Sequence, residues 1–319
     1  MSLHSLAATV ISTAVLSAGA TTVVNRMVGN RRGRMRGHPG APTPPTPGTE
    51  RPGQTAMATG PSWNEGDLDG LTEPELERLG GKAWREGDYA LAEREYQLAV
   101  VRAATPAAKA RALNNLGTTY DRMGHGDKAL ASFTRAVDVY RAVGERHGEA
   151  EALTNLGLAL GKQGQRDQAT THLSDALRLH LDNGDRFGQA TVLSIMAELD
   201  RANGDLDAAL ATHRQALEIY CELSRADAES TCLNDCATTL LAMNQVQAAL
   251  TAYANALALA QLVGADGERA RAHDGIARIL FSQGDRTGAR THWSSAWRLF
   301  QDSDKDSAEA VAVRLRQLN

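Results

Sequence analysis

Aromatic residues are scarce in this 319-residue chain, at 4%, although 42% of it is hydrophobic. Alanine and leucine supply most of the apolar count. That mix disfavours a β-sandwich and favours closely packed helices. Cysteine is nearly absent: only Cys221, Cys232 and Cys236 occur. An odd, small number rules out a disulfide framework and fits a reducing compartment. Proline is scarce outside one stretch, residues 38–62, which holds seven of the nine. Basic residues are few enough that the formal net charge is −4. The charge is uneven: residues 1–56 carry six arginines against the single acid Glu50, net +5, so the rest must carry −9. An acidic body argues against a nucleic-acid-binding surface there.

The missing catalytic patterns narrow the reading further. No His-Glu-x-x-His metal motif occurs among the nine histidines, and no Ser–His–Asp or Cys–His set can be nominated from spacing. "GLALGKQ", residues 157–163, approaches a phosphate-binding loop. It fails because only three residues separate its glycines and no Ser or Thr follows Lys162. Cys232 and Cys236 share a helical face, where two small thiols fill core space. Trp84, Trp293 and Trp297 fall on apolar helical stripes, and His172 and His292 occupy a permissive position. These residues point to neither cofactor nor metal, and the chain reads as non-enzymatic.

What is present divides into segments. Residues 1–36 hold an apolar stretch, Leu3–Val24, with no Asp, Glu, Lys or Arg, followed by five arginines between Arg26 and Arg36. As a helix it spans about 33 Å, enough for a bilayer core. Charge after the apolar stretch would leave the C-terminal side in the cytoplasm, tethered to the inner face of the membrane. Two readings compete with an anchor. Seven of those 22 residues are Ser or Thr, as in a loose soluble helix, and Met57 offers an alternative start just before the body. Residues 37–71 read as a Pro/Gly-rich linker too polar to bury a core.

The body, residues 72–303, repeats. Gly124, Gly164, Gly204, Asn244 and Gly284 are spaced by 40, and so are Ala129, Ala169, Ala209, Ala249 and Ala289. Ala136, Ala176, Ala216, Ala256 and Ala296 keep the same period. An earlier copy, Leu79–Ala99, precedes them at a spacing of 37. Each unit reads as two helices with a glycine turn. Leu113, Leu116, Gly117 and Tyr120 stripe the first helix of unit two, and Ala129, Phe133, Ala136, Val137 and Tyr140 stripe the second. The small residues allow close backbone approach, and the large ones fill the space beside them. Residues 304–319 predict a capping helix, with Ala310, Val313 and Leu315 or Leu318 covering the last unit.

The pattern Leu113, Leu116-Gly117, Tyr120, Ala129, Phe133, Ala136 resembles the tetratricopeptide repeat. Its period of 40 looks like the repeats of kinesin light chains, bacterial Rap-type peptide receptors and some actinobacterial regulators. The resemblance implies an all-α fold: a right-handed α-solenoid of six helix-turn-helix repeats plus the cap. It implies first helices lining a concave groove that holds a protein or peptide partner.

The family's inward positions map onto Arg111, Asn114, Asn115, Thr118, Asp121 and Arg122 in unit two, and onto Glu151, Thr154, Asn155, Leu158 and Lys162 in unit three. Unit four offers Thr191, Ser194, Ile195, Glu198 and Arg201; unit five Thr231, Asn234, Asp235 and Thr238; unit six Arg271, Asp274, Arg278 and Phe281. In the longer-repeat relatives an Asn before Leu-Gly offers a donor and an acceptor to a peptide backbone. Asn115 and Asn155 match it, Asp235 keeps only the acceptor, and Ile195 and Gly275 depart from it. A competing role for the asparagines is to solvate the face or cap local backbone. The groove cations, Arg111, Arg122, Lys162, Arg201, Arg271 and Arg278, predict a partner with acidic character. The function expected is a non-enzymatic scaffold; a sensory or regulatory module responding to a peptide is the alternative.

Overall fold

Thr72 opens the first helix with a capping box: its backbone N–H and hydroxyl both donate to Glu75 Oε2. In the computed structural model, which describes residues 70–301 and 304–318, that helix is the first of thirteen. Six pairs follow one another: α1 (Glu73–Arg85) with α2 (Tyr89–Arg102), α3 (Pro106–Arg122) with α4 (Gly126–Val143), and α5 (Arg146–Lys162) with α6 (Arg166–Asp182). Then come α7 (Arg186–Asn203) with α8 (Leu206–Glu222), α9 (Ala226–Ala242) with α10 (Val246–Val263), and α11 (Asp266–Ser282) with α12 (Arg286–Phe300). A last helix, α13 (Lys305–Arg316), follows alone. No strand occurs among the described residues. The expected N-terminal apolar helix, the Met57 start and all but the end of the linker lie outside the described residues.

Local chemistry starts and stops these helices. Thr105 accepts a hydrogen bond from the Ala108 N–H, with Pro106 at the first helical position. Asp185 and Asp285 repeat the device on the N–H groups of Gly188 and Gly288. Two turns that elsewhere carry glycine are made without it, by Asn244 at φ 59° and Ser224 at φ 57°. Asparagine visits that left-handed region readily, whereas serine enters it at a cost.

Packing follows the repeat. Phe133 fills the space against Gly117, and Leu173 does so against Gly157. Ala129, Ala136, Ala169, Ala176, Ala209 and Ala216 are wholly buried at the helix crossings. The core runs through the array as adjoining clusters. One reaches from Ala83 to Val192, a second from Ala190 to Ile279, and a third joins α11 and α12 to α13. α7 contributes side chains to both larger clusters, so no break separates units three and four.

Two features differ from expectation or add to it. The cap meets the last unit through Ala308, Val311, Leu315 and Leu318, whereas Ala310 and Val313 face outward, Val313 at 43% exposed. Both stripes are apolar at helical spacing. Leu315 and Leu318 belong to both, and the ion pair from Arg314 Nη1 to Asp274 Oδ1 at 2.7 Å fixes the observed one. Among the described residues α10 alone is long and apolar enough to cross a membrane, by length and composition only. It packs against α9 and α11 as a second helix of its unit.

Candidate functional site

First helices of successive units touch one another, α1 with α3, α3 with α5, and so on to α11, while second helices meet at most glancingly. The row with closer neighbours is the inner row of a curved stack, and its free side chains form the candidate site.

The structure gathers most of the nominated residues into pairs that cross from one unit to the next. Asn155 Nδ2 donates to Asn114 Oδ1 at 3.0 Å, joining α5 to α3. Asn115 is half-buried on the same face, and its side chain makes no hydrogen bond among the described residues. Arg111 donates to Glu77 Oε2 at 2.6 Å and to Glu73 Oε1 at 2.8 Å on α1. Lys162 Nζ meets Asp121 Oδ2 at 2.6 Å. Arg201 holds Glu198 through Nε at 3.3 Å and Nη2 at 2.6 Å. Asn234, at 1% exposed, spends Nδ2 on the carbonyl and carboxylate of Glu268. Asp235 accepts from Arg271, which also reaches Glu268.

Arg122 and Arg278 stand apart. Arg122 lies over the rings of Trp84 and Tyr89, 6.0 and 5.8 Å from their centroids. Arg278 is exposed and forms no ion pair among the described residues. The positive groove expected from sequence is therefore corrected. Arg111, Lys162, Arg201 and Arg271 are each neutralised by a carboxylate, mostly from the unit before or after.

Two hollows open on this face. One, about 220 Å³, is lined by Asn234, Thr238, Tyr253, Asp274, Arg278 and Arg314 among others, beside the cap. The other, about 280 Å³, lies among α5, α7 and α9 and is walled by Leu158, Ile195, Ala228, Tyr220 and Cys232, with Glu198 and Asp235 in its lining. Of the two positions where the asparagine pattern lapses, Ile195 lines the second hollow and Gly275 the first.

Electrostatics around this hollow are set by burial and pairing. Burial alone would raise the Glu198 carboxyl, but the nearby His213 ring and the hydrogen bonds from Arg201 outweigh it and hold the group at about 2. Burial pushes Asp235 up, opposed by the Arg271 guanidinium. His213 Nε2 lies 3.6 Å from Glu198 Oε1 and is fully buried. Cys236 beside it raises the Cys232 thiol, and burial adds to that, so the thiol keeps its proton.

Sequence reasoning missed several residues here. His213 occupies the place of Phe133, Leu173, Tyr253 and Trp293, so its signal was a polar residue at an apolar repeat position. Tyr220 reaches the hollow from a second helix, outside the row that was searched. His273 and His292 bring their Nδ1 atoms to 2.9 Å between α11 and α12, which no spacing indicated. No group of three His, Cys, Asp or Glu side chains among the described residues is placed to hold a metal.

Comparison with known proteins agrees with this geometry. The tetratricopeptide repeat family model matches residues 109–182, 148–222 and 188–262. No curated protein sequence matches the chain. BtubC (BKLC) from P. vanneervenii is 23% identical, covering 60% of this chain and 80% of its own at a TM-score of 0.52. A Rap protein complexed with Competence and Sporulation Factor is 15% identical over 79% of this chain and 77% of its own, at a TM-score of 0.61. The Rap conjugation gene regulator of the plasmid pLS20, in complex with the Phr* peptide, is 14% identical over 81% and 80%, at 0.57. At these identities the likeness is one of fold. Motif, helix pairing and family match converge, and this chain carries a tetratricopeptide-repeat array.

Proposed function

We propose that the array is a scaffold that holds a peptide, or an extended segment of a partner protein, along the face of its first helices. The observation that supports this most directly is the inner row itself. It exposes polar side chains, Asn115 and Arg278 among them, and two hollows that the helix packing does not need. Concave sites with a few convergent polar groups are the usual places for ligands. This reading assigns no catalytic step to the array.

Partner capture by the full chain, compared with Asn115→Ala and Asn155→Ala, tests the reading. Loss of capture with the helical content intact supports it, and unchanged capture by both variants refutes the groove assignment. Asn155→Ala also breaks the bond to Asn114, so its thermal unfolding must be measured alongside.

A regulatory form of the same reading is favoured by one observation: one of the similar solved structures, a Rap conjugation gene regulator, holds the Phr* peptide. It predicts a change in small-angle scattering when a recognised peptide is added, and an unchanged curve at saturating peptide contradicts it. We further propose that residues 3–24 tether the array to the inner face of the cell membrane. Fractionation of the tagged chain into membrane and soluble pools tests this, with recovery in the soluble pool alone as the contrary result.

A further inference from the structure

The hollow among α5, α7 and α9 has a composition unlike the rest of the inner row. Its walls are the alkyl side chains of Leu158, Ile195 and Ala228 and the ring of Tyr220. Its only charged lining residues are two carboxylates, Glu198 and Asp235. The neighbouring guanidiniums do not line it and are already engaged. Arg201 gives Nε and Nη2 to Glu198, and Arg271 gives Nη1 to Glu268 and Nη2 to Asp235. Around it three carboxylates, Glu198, Asp235 and Glu268, face these two arginines, with the buried His213 ring 3.6 Å from Glu198.

Asp235 is 8% exposed, and only its Oδ1 receives a hydrogen bond among the described residues. Its Oδ2 keeps some access to solvent and has room for a further donor, and a charged donor is the strongest partner for it. At about 280 Å³ the hollow is smaller than the roughly 300–1,000 Å³ of sites that enclose a whole small molecule. It suits a single long side chain.

We propose that this hollow receives a lysine or arginine side chain of the bound peptide, its alkyl stem along Leu158, Ile195 and Tyr220 and its cationic head at Asp235 and Glu198. The match is twofold, because such side chains carry an apolar stem and a charged tip, and the hollow supplies a partner for each. A purely aliphatic side chain would take water from both carboxylates and add no donor beyond Arg201 and Arg271, and an acidic one would face them with like charge. The inference rests on the groove reading above. It replaces the acidic partner expected from the sequence with one basic at this position.

Positional-scanning peptide pools test it. Twelve-residue pools, random except for one central residue fixed as Arg, Lys, Leu or Glu, are captured on the immobilised full chain. The Arg and Lys pools are expected to be retained about ten-fold over the Leu and Glu pools, in line with close interfacial charge pairs. The preference is expected to shrink in Asp235→Asn and in Glu198→Gln, and to fall with added salt. Should Asp235→Asn lose its helical signal, the variant at the half-buried Glu198, Glu198→Gln, carries the test. Equal capture of all four pools, or preference for Leu, overturns the basic-side-chain assignment and leaves groove binding standing. An Arg preference untouched by either folded variant overturns the placement in this hollow. Capture of no pool overturns both this inference and the groove reading.

Discussion

Gly117 faces Phe133 so closely that a Cβ added there would sit 2.6 Å from the ring. The helices α3 and α4 cannot part without opening the core around Leu116 and Ala129, both buried. Overpacking of this kind costs about 1–3 kcal/mol. Gly117→Val is therefore expected to lower the unfolding free energy in urea titrations by that amount, and Gly117→Val combined with Phe133→Leu to recover part of it. An additive double variant would show that the two positions do not touch. A second residue-scale prediction concerns His273, which burial, His292 and Arg269 hold down at about 4 from an ordinary 6.5. Between those values the unfolded chain binds a proton that the folded chain refuses. The contribution is thus complete above about pH 6.5 and is lost as the pH falls toward 4, for a total near 2 kcal/mol after allowance for remaining solvent exposure. His292 shifts in the same direction. Urea midpoints at pH 7.5 and 5 should differ less in His273→Leu than in the native chain; equal differences would contradict this.

At the scale of the helix, the period of 40 in the sequence was enough to place the last five pairs, because small residues recur in register at each crossing, and the first pair followed at a spacing of 37. The cap was legible as a helix but not in its rotation. Ala310 and Val313 are as apolar as Ala308 and Val311, and only contact with α11 and α12 selects between them. Val311→Asp is expected to destabilise the chain by several kcal/mol, through a buried unpaired charge, and Val313→Asp to stay within about 0.5 kcal/mol. Similar thermal shifts for the two would contradict the observed face. The groove side chains were also legible as positions and not as states. Lys162 and Asp121, Asn155 and Asn114, and Arg111 and Glu73 meet across sequence separations of 41, 41 and 38. These separations are close to one repeat, so pairing between units could be read from the period only with the helix rotations known. His213 was hidden for another reason. Its neighbours Glu198 and Cys236 come from two other helices, and a repeat alignment shows the substitution without its partners.

At the scale of the whole array, the main contacts run between neighbouring units, so stability sums along the stack and the inner row stays continuous. Fold alone does not assign a ligand, and the likeness to Rap proteins and BtubC speaks only for architecture. The central claim is that a partner lies on the inner row. Site-specific photo-crosslinking in cells measures this most directly. A photoreactive residue is placed at Thr118, Thr231 or Arg278 on first helices, or at Thr134, Ser174 or Ala254, which are exposed on second helices. The account predicts a shared adduct from the first set and none from the second. The same adduct from the second set, with the first set silent, would contradict it.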